Sequence, residues 1–212
     1  MMNVKEGLNV SILILMLLLW HISGFSQNNQ PRIKYFTLED GISQVSSNDL
    51  LLDSSGFIWI ATQDGLNKFD GNKFEHYKYN KQDSLTLSGN LINKLLEDST
   101  GKIWVGTISN GLNYYDPDLN NFHRIKLKNS PDNNEIISAI SEDNQKNIWV
   151  SSRISGLHKL KQTNEAVFLQ ENYLANKPIS GLLIDQDNIL WAGDLTGNVY
   201  VLNLSNTLKP NP

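Results

Sequence analysis

Four aspartates at regular spacing are the first residues in this sequence that suggest chemistry. Each lies six residues before a tryptophan: Asp53, Asp98, Asp143 and Asp185. A catalytic acid and base converge as a pair on one bond, whereas these carboxylates recur singly in similar surroundings. The repetition favours a role in folding, in which each carboxylate opens a turn by accepting backbone N–H bonds two residues on.

The histidines suggest metal binding as a second chemistry. After residue 26 they are His76, His123 and His158. Each is predicted to lie exposed on an outer strand of a different repeat, so their spacing brings no ligand set together. The sequence has no cysteine, no HExxH, no GxSxG and no glycine-rich phosphate loop. We therefore predict no catalytic residue, no metal and no cofactor.

A set of polar residues after the tryptophan-bearing strands could instead bind a small ligand. Loops displayed by a rigid scaffold commonly carry function, and these loops share a face with the connections at residues 80–90, 129–135 and 176–178. The candidate ligand-binding residues are Gln63, Asp64, Asn110, Arg153 and Asp194.

An internal repeat must position these residues. Trp59, Trp104, Trp149 and Trp191 are 45, 45 and 42 residues apart, and each copy combines an apolar run, an aspartate turn and a second turn. A period near 40–45 residues with strand-like segments is typical of β-propeller blades. The tryptophans are expected to pack between neighbouring blades, where each would remove about 150–250 Å² from water.

The second copy predicts the strands of one blade: residues 91–96, 102–107, 112–115 and 122–127. Four short antiparallel strands joined by glycine, asparagine and aspartate turns form such a blade. Gly56 and Gly101 are predicted to need positive φ in the aspartate turn, with Asn147 and Asn188 nearby in the later copies. The fold class is therefore all-β, with four repeats of a four-stranded antiparallel sheet.

The segments GISQVSSNDLLLDSSGFIWIATQDGLNKFDGNKFEHY and DSLTLSGNLINKLLEDSTGKIWVGTISNGLNYYDPDLNNFHRI resemble the two-component regulator propeller repeat. The resemblance extends from Arg32 to about Leu204 and is looser in the last two copies. It implies the periplasmic sensor region of a hybrid two-component system, with an oligosaccharide or similar nutrient as ligand and self-association through propellers. The kinase of such systems would reside in modules absent from these residues, so a truncated product is expected.

Two architectures and two other functions stay open. Ile33 to Leu38 would complete the last blade in a closed four-bladed ring, whereas an open arc, a fragment of a larger ring, is favoured. The chain is alternatively a stand-alone envelope scaffold for protein–protein interaction. A sialidase-like propeller glycosidase is the remaining alternative, although residues 27–212 hold only three arginines.

Composition and the first residues set the expected location. The formal net charge of −4 argues against nucleic-acid binding. Ile12 to Trp20 is an apolar run too short for a comfortable membrane span, and small residues at Gly24 and Ser26 precede a possible cleavage site. Residues 1–26 are therefore predicted to be a signal peptide, with a membrane anchor as alternative, followed by blades over 27–206 and a tail over 207–212. The expected location is the periplasm or cell envelope.

Overall fold

A computed structural model describes residues 31–131, 134–163 and 168–205 of the chain. The chain divides into Met1–Tyr35 and Phe36–Pro212. Of the first part, residues 31–35 are described; they are exposed and have no regular secondary structure. The predicted signal peptide and C-terminal tail lie outside the described residues. Within the described residues, no helix has the length and apolarity needed to cross a bilayer.

Residues 36–205 form four antiparallel sheets in chain order, as the repeat predicts. The first three sheets have four strands each, and the fourth has three. The first sheet contains β1 (Ser47–Leu52), β2 (Ile58–Thr62), β3 (Gly65–Phe69) and β4 (Phe74–Tyr77). The second contains β5 (Ile92–Glu97), β6 (Ile103–Thr107), β7 (Leu112–Asp116) and β8 (Asn121–Ile125). The third contains β9 (Ile137–Glu142), β10 (Ile148–Ser152), β11 (Gly156–Gln162) and β12 (Phe168–Tyr173), and the fourth β13 (Ile179–Ile184), β14 (Ile189–Asp194) and β15 (Val199–Asn203).

Each sheet is a meander whose first strand lies at one edge. These first strands, which we call the inner strands, also contact one another: β1 packs against β5, β5 against β9 and β9 against β13. Successive sheets are therefore joined along their inner strands, which is the arrangement of propeller blades.

The fourth sheet is not completed by the N-terminal segment. Within the described residues β15 pairs only with β14. Residues 33–37 form no strand, and Leu38–Asp40 is a short 3₁₀ helix. The alternative in which Ile33 to Leu38 supplies a fourth strand is therefore wrong, and the sheets do not close.

The core lies between sheets. One cluster joins Trp59 to Ile92, Ile103 and Val105 of the second sheet. A second joins Trp104 to the third sheet, and a third joins Trp149 to the fourth. Alternation along each strand sends one set of side chains toward each neighbouring sheet, so every internal blade contributes to two clusters.

Candidate functional site

The aspartate turns have the same geometry in all four blades. One carboxylate oxygen accepts the backbone N–H groups two and four residues later, and the other accepts the indole N–H of the tryptophan. The Nε1–Oδ2 distances are 2.7 Å for Trp59–Asp53 and Trp104–Asp98, 2.8 Å for Trp149–Asp143 and 2.9 Å for Trp191–Asp185. The predicted bond to the residue two positions on is present in every copy. Because both oxygens are engaged within the turn, these carboxylates are arranged for folding.

The indole bond was not predicted, although the constant spacing of six residues was its signal. In the fourth blade the hydrogen bond from Trp191 is the largest cause of the pKa shift of Asp185, and it lowers this pKa below its ordinary value. A charged acceptor strengthens such a bond. Each turn thereby fixes the orientation of the ring that packs on the next sheet.

The turn position three residues after the aspartate has positive φ in each blade. It is occupied by Gly56 at 88°, Gly101 at 85°, Lys146 at 64° and Asn188 at 59°. Positive φ is confirmed at the two glycines and at Asn188. In the third copy the residue with positive φ is Lys146, so the expectation for Asn147 is wrong. The side-chain amide of Asn147 instead donates to both carboxylate oxygens of Asp143. The left-handed conformation is adopted one residue earlier, at Lys146.

Three tryptophans are buried as expected, and one is not. Trp59, Trp104 and Trp149 are at most 1% exposed, whereas Trp191 is 42% exposed. The expectation of burial is therefore wrong for Trp191, because no sheet among the described residues follows the fourth. Leu183, Val199 and Val201 of the same sheet are also exposed.

Polar contacts repeat between neighbouring sheets. Ser54 donates its N–H and hydroxyl to Glu97, and Ser99 does the same to Glu142. In the next pair, the N–H of Asn144 donates to Oδ1 of Asn188. These bonds join residues 43–44 positions apart, so each of the first three aspartate turns is tied to the following blade.

A β-bulge occurs at the start of every inner strand. The register shifts leave Asn48, Asn93, Ser138 and Ser180 as the extra residues. Three of these side chains donate to a backbone carbonyl of the next inner strand, at Ile92, Ile137 and Ile179 respectively. Bulges re-aim side chains, and here they direct polar groups toward the line where the inner strands meet.

The inner strands enclose a polar groove of about 510 Å³. We call it the inner-strand groove; its lining includes Asp49, Asn93, Lys94, Ser138, Arg153 and Ser180. Of the five candidate ligand-binding residues, only Arg153 lines it. Arg153 is exposed, and its backbone N–H bonds to the carbonyl of Ile136, which fixes the loop beside the third inner strand.

The structure does not bring the five candidates together. Gln63 is exposed in the β2–β3 turn, and Asp64 forms an ion pair with Lys78 at 2.6 Å. Asn110 lines a separate pocket of about 200 Å³ between the second sheet and the following loop. The carboxylate of Asp194 accepts bonds from Asn198 and other groups of its own turn. The hydrogen bond from Asn198 is the main reason that the pKa of Asp194 lies well below its usual range.

The histidines differ in burial, and the prediction that they are exposed was wrong for two of them. His76 is exposed on β4 and His123 is half-buried on β8, but His158 is fully buried on β11. Its Nε2 lies 2.6 Å from the hydroxyl of Ser155. Burial lowers the pKa of His158 to about 4, so the ring is neutral at pH 7. Among the described residues, no group of three or more histidines and carboxylates could hold a metal ion.

Comparison with known proteins agrees with the propeller-like arrangement of the four sheets. Residues 86–109 and 130–153 match the family model described as the two component regulator propeller. A histidine kinase of Formosa agariphila is 46% identical over 67 residues, which cover 32% of this chain and 5% of that protein. The chain thus spans one-twentieth of this relative.

Solved structures give the same fold. An extracellular domain from B. thetaiotaomicron, described as part of a hybrid two component system, is 26% identical with a TM-score of 0.69, covering 82% of this chain and 25% of that one. A second such domain from this organism is 20% identical with a TM-score of 0.62, and the match covers 79% of this chain and 22% of that domain. A virginiamycin B lyase from Staphylococcus aureus is 15% identical with a TM-score of 0.55, and the match covers 81% of this chain and 58% of the lyase. The last two likenesses concern the fold alone.

Proposed function

We propose that this chain, in which two segments match the two component regulator propeller model, is a segment of an extracytoplasmic sensory propeller. Its role is to bind a small ligand, with an oligosaccharide as the expected class, and to pass that event to the signalling modules of a two component regulator. The chain itself contributes binding and packing, and phosphotransfer belongs to other modules.

The observation that carries this proposal is the likeness to an extracellular domain of a hybrid two component system over 82% of this chain. That domain supports an extracytoplasmic location. The engaged carboxylates of the aspartate turns also support a non-catalytic role, because none is left to act as an acid or base at those positions.

The open face of the fourth sheet supports the view that these blades act as part of a larger assembly. Trp191 has the same aspartate bond as the three buried tryptophans, yet no sheet covers it among the described residues. Exposed apolar surface of this kind commonly marks an interaction site. Further blades or a second propeller are the expected cover, consistent with self-association.

A mechanism follows from general linkage. A ligand shifts an equilibrium between two arrangements only by the difference in its affinity for them. Rigid sheets joined along their inner strands would move as units, so a ligand contacting several inner strands would favour one packing of neighbouring blades over another.

The proposal is tested by measuring thermal unfolding of the purified chain with a panel of neutral and acidic oligosaccharides, amino acids and nucleotides. A ligand at a hundred times its Kd stabilises the folded state by about 2.7 kcal/mol. We expect at least one saccharide to raise the melting temperature in a saturable manner. A panel without any saturable stabilisation would contradict the sensory role.

A further inference from the structure

The inner-strand groove contains two cations without a protein partner. Among the described residues, the side chains of Lys94 and Arg153 make no ion pair or hydrogen bond. Two other cations are engaged within the protein: Lys78 pairs with Asp64, and Arg124 donates to backbone carbonyls at Asp83 and Thr86. The pocket that contains Lys146 and Lys161 also contains Asp98 and Glu142. Lys94 and Arg153, by contrast, share their groove with a single carboxylate.

The remaining charge in the groove is a single carboxylate, Asp49. Its Oδ1 accepts the N–H of Leu50, and its Oδ2 accepts the N–H of Leu95 from the next inner strand at 3.0 Å. Asp49 thus already serves the contact between the first and second sheets. Two cations against one carboxylate leave the groove with a net positive charge, within a chain of net charge −4.

The bulges add neutral acceptors beside these cations. Asn93 donates an amide N–H to the carbonyl of Ile137 at 2.7 Å, which leaves its Oδ1 to accept a hydrogen bond from a ligand. Ser138 is buried, and its hydroxyl contacts Ile179 and Ser151 within the protein. Ser180 is half-buried and donates its single hydroxyl hydrogen to the carbonyl of Gly193 at 3.2 Å, so toward a ligand it can only accept. Hydroxyl-rich molecules supply the donors that such acceptors require.

We propose that the inner-strand groove binds an acidic oligosaccharide, with Arg153 and Lys94 holding its carboxylate and with Asn93 and Ser180 accepting hydrogen bonds from its hydroxyl groups. The planar guanidinium of Arg153 matches a carboxylate in bidentate geometry, and Lys94 adds a second positive charge. The volume of about 510 Å³ lies in the range of small-molecule sites, about 300–1,000 Å³. This inference rests on the proposed function and specifies the ligand class and its location.

The experiment is isothermal titration calorimetry of the full chain with trigalacturonate, compared with maltotriose, a neutral trisaccharide. We expect trigalacturonate to bind, maltotriose to bind at least tenfold more weakly, and added NaCl to weaken the binding of trigalacturonate. Arg153→Gln and Lys94→Gln are each expected to raise the Kd for trigalacturonate at least tenfold.

Lys102→Gln is the matched control, because it makes the same charge change beside the Asp98 turn, away from the groove. It is expected to leave the Kd unchanged, and unfolding curves of all variants show whether they are folded. Equal binding of maltotriose, no binding of trigalacturonate, or variants with unchanged affinity would overturn the inference. If a neutral saccharide binds independently of Lys94 and Arg153, the sensory role stands and this assignment fails; if no saccharide binds, both fail.

Discussion

At the scale of single residues, the paired aspartate and tryptophan explain why the repeat keeps a constant spacing. The carboxylate holds its own turn with one oxygen and orients the indole ring with the other, as in the bond of 2.7 Å between Trp104 and Asp98. The sequence indicates the turn because aspartate in that context has a local backbone partner. The indole bond joins side chains six residues apart, and only the repetition of that spacing could have suggested it.

The buried His158 predicts that the folded chain loses stability as the pH falls. Its pKa is lowered to about 4 in the folded chain from an ordinary value of 6.5, so between these values the unfolded chain binds the additional proton. Its contribution to stability is complete above about pH 6.5 and is lost toward pH 4 at up to about 1.4 kcal/mol per pH unit. Replacing His158→Asn is expected to reduce the loss of unfolding free energy between pH 7 and pH 5.

Asparagine suits this test because Asn67 and Asn113 occupy the corresponding buried position of the first two blades. Urea titrations at both pH values provide the measurement. The exposed His76→Asn serves as control and should retain the acid sensitivity of the original chain. An unchanged pH dependence in His158→Asn would show that burial of this ring does not govern the acid response.

At the scale of elements, turns of similar φ differ in what surrounds them. Gly56 has φ 88° with open space where a side chain would begin, whereas Gly156 has φ 99° and lies against the backbone carbonyl of Leu174. A Cβ at Gly156 would overlap that oxygen, so the β10–β11 turn needs glycine for space as well as for conformation.

Gly156→Ala is therefore expected to cost more than Gly56→Ala. The left-handed conformation alone costs a residue with a Cβ about 1–2 kcal/mol, and overpacking adds about 1–3 kcal/mol. Chemical denaturation of the two variants side by side measures the difference. Equal losses of stability would mean that the loop containing Leu174 moves away from the new side chain without a loss of unfolding free energy.

Much at this scale could be predicted from the sequence. In the second blade the predicted strands agree with β5 to β8 within about two residues, because apolar alternation and turn residues are local signals. The bulge at Asn93 was not predicted, since one extra residue at a strand end leaves the local pattern nearly unchanged. The burial of His158 was also missed, because the residues beside it, such as Asn172 on β12, reach β11 only through the pairing of the two strands.

At the scale of the whole molecule, stability depends on each blade having a neighbour. The first three tryptophans are covered by the following sheet, and Trp191 is not. The residues that form the blades could be predicted, but the candidate site could not, because Lys94 and Arg153 line one groove only when the second and third sheets pack together. Of the site residues, sequence analysis identified Arg153 and missed Lys94.

Comparing Trp104→Ala with Trp191→Ala tests this dependence on neighbours. Trp104→Ala is expected to lower the unfolding free energy by about 3–5 kcal/mol, as usual for emptying a large aromatic site. Trp191→Ala removes the same side chain and the same aspartate bond but leaves no enclosed cavity, so a loss below about 2 kcal/mol is expected. Urea unfolding followed by far-ultraviolet circular dichroism measures both, and similar losses would contradict the packing role of the following sheet.

The serine-to-glutamate bonds between successive sheets have a consequence for how such chains change over evolutionary time. Ser54–Glu97 and Ser99–Glu142 repeat one junction with the same atoms. A duplication or deletion of the second repeat unit by unequal recombination would therefore create a new junction that already has matching partners. Blade number can then vary at this junction without compensating mutations, while the loops of each blade diverge independently.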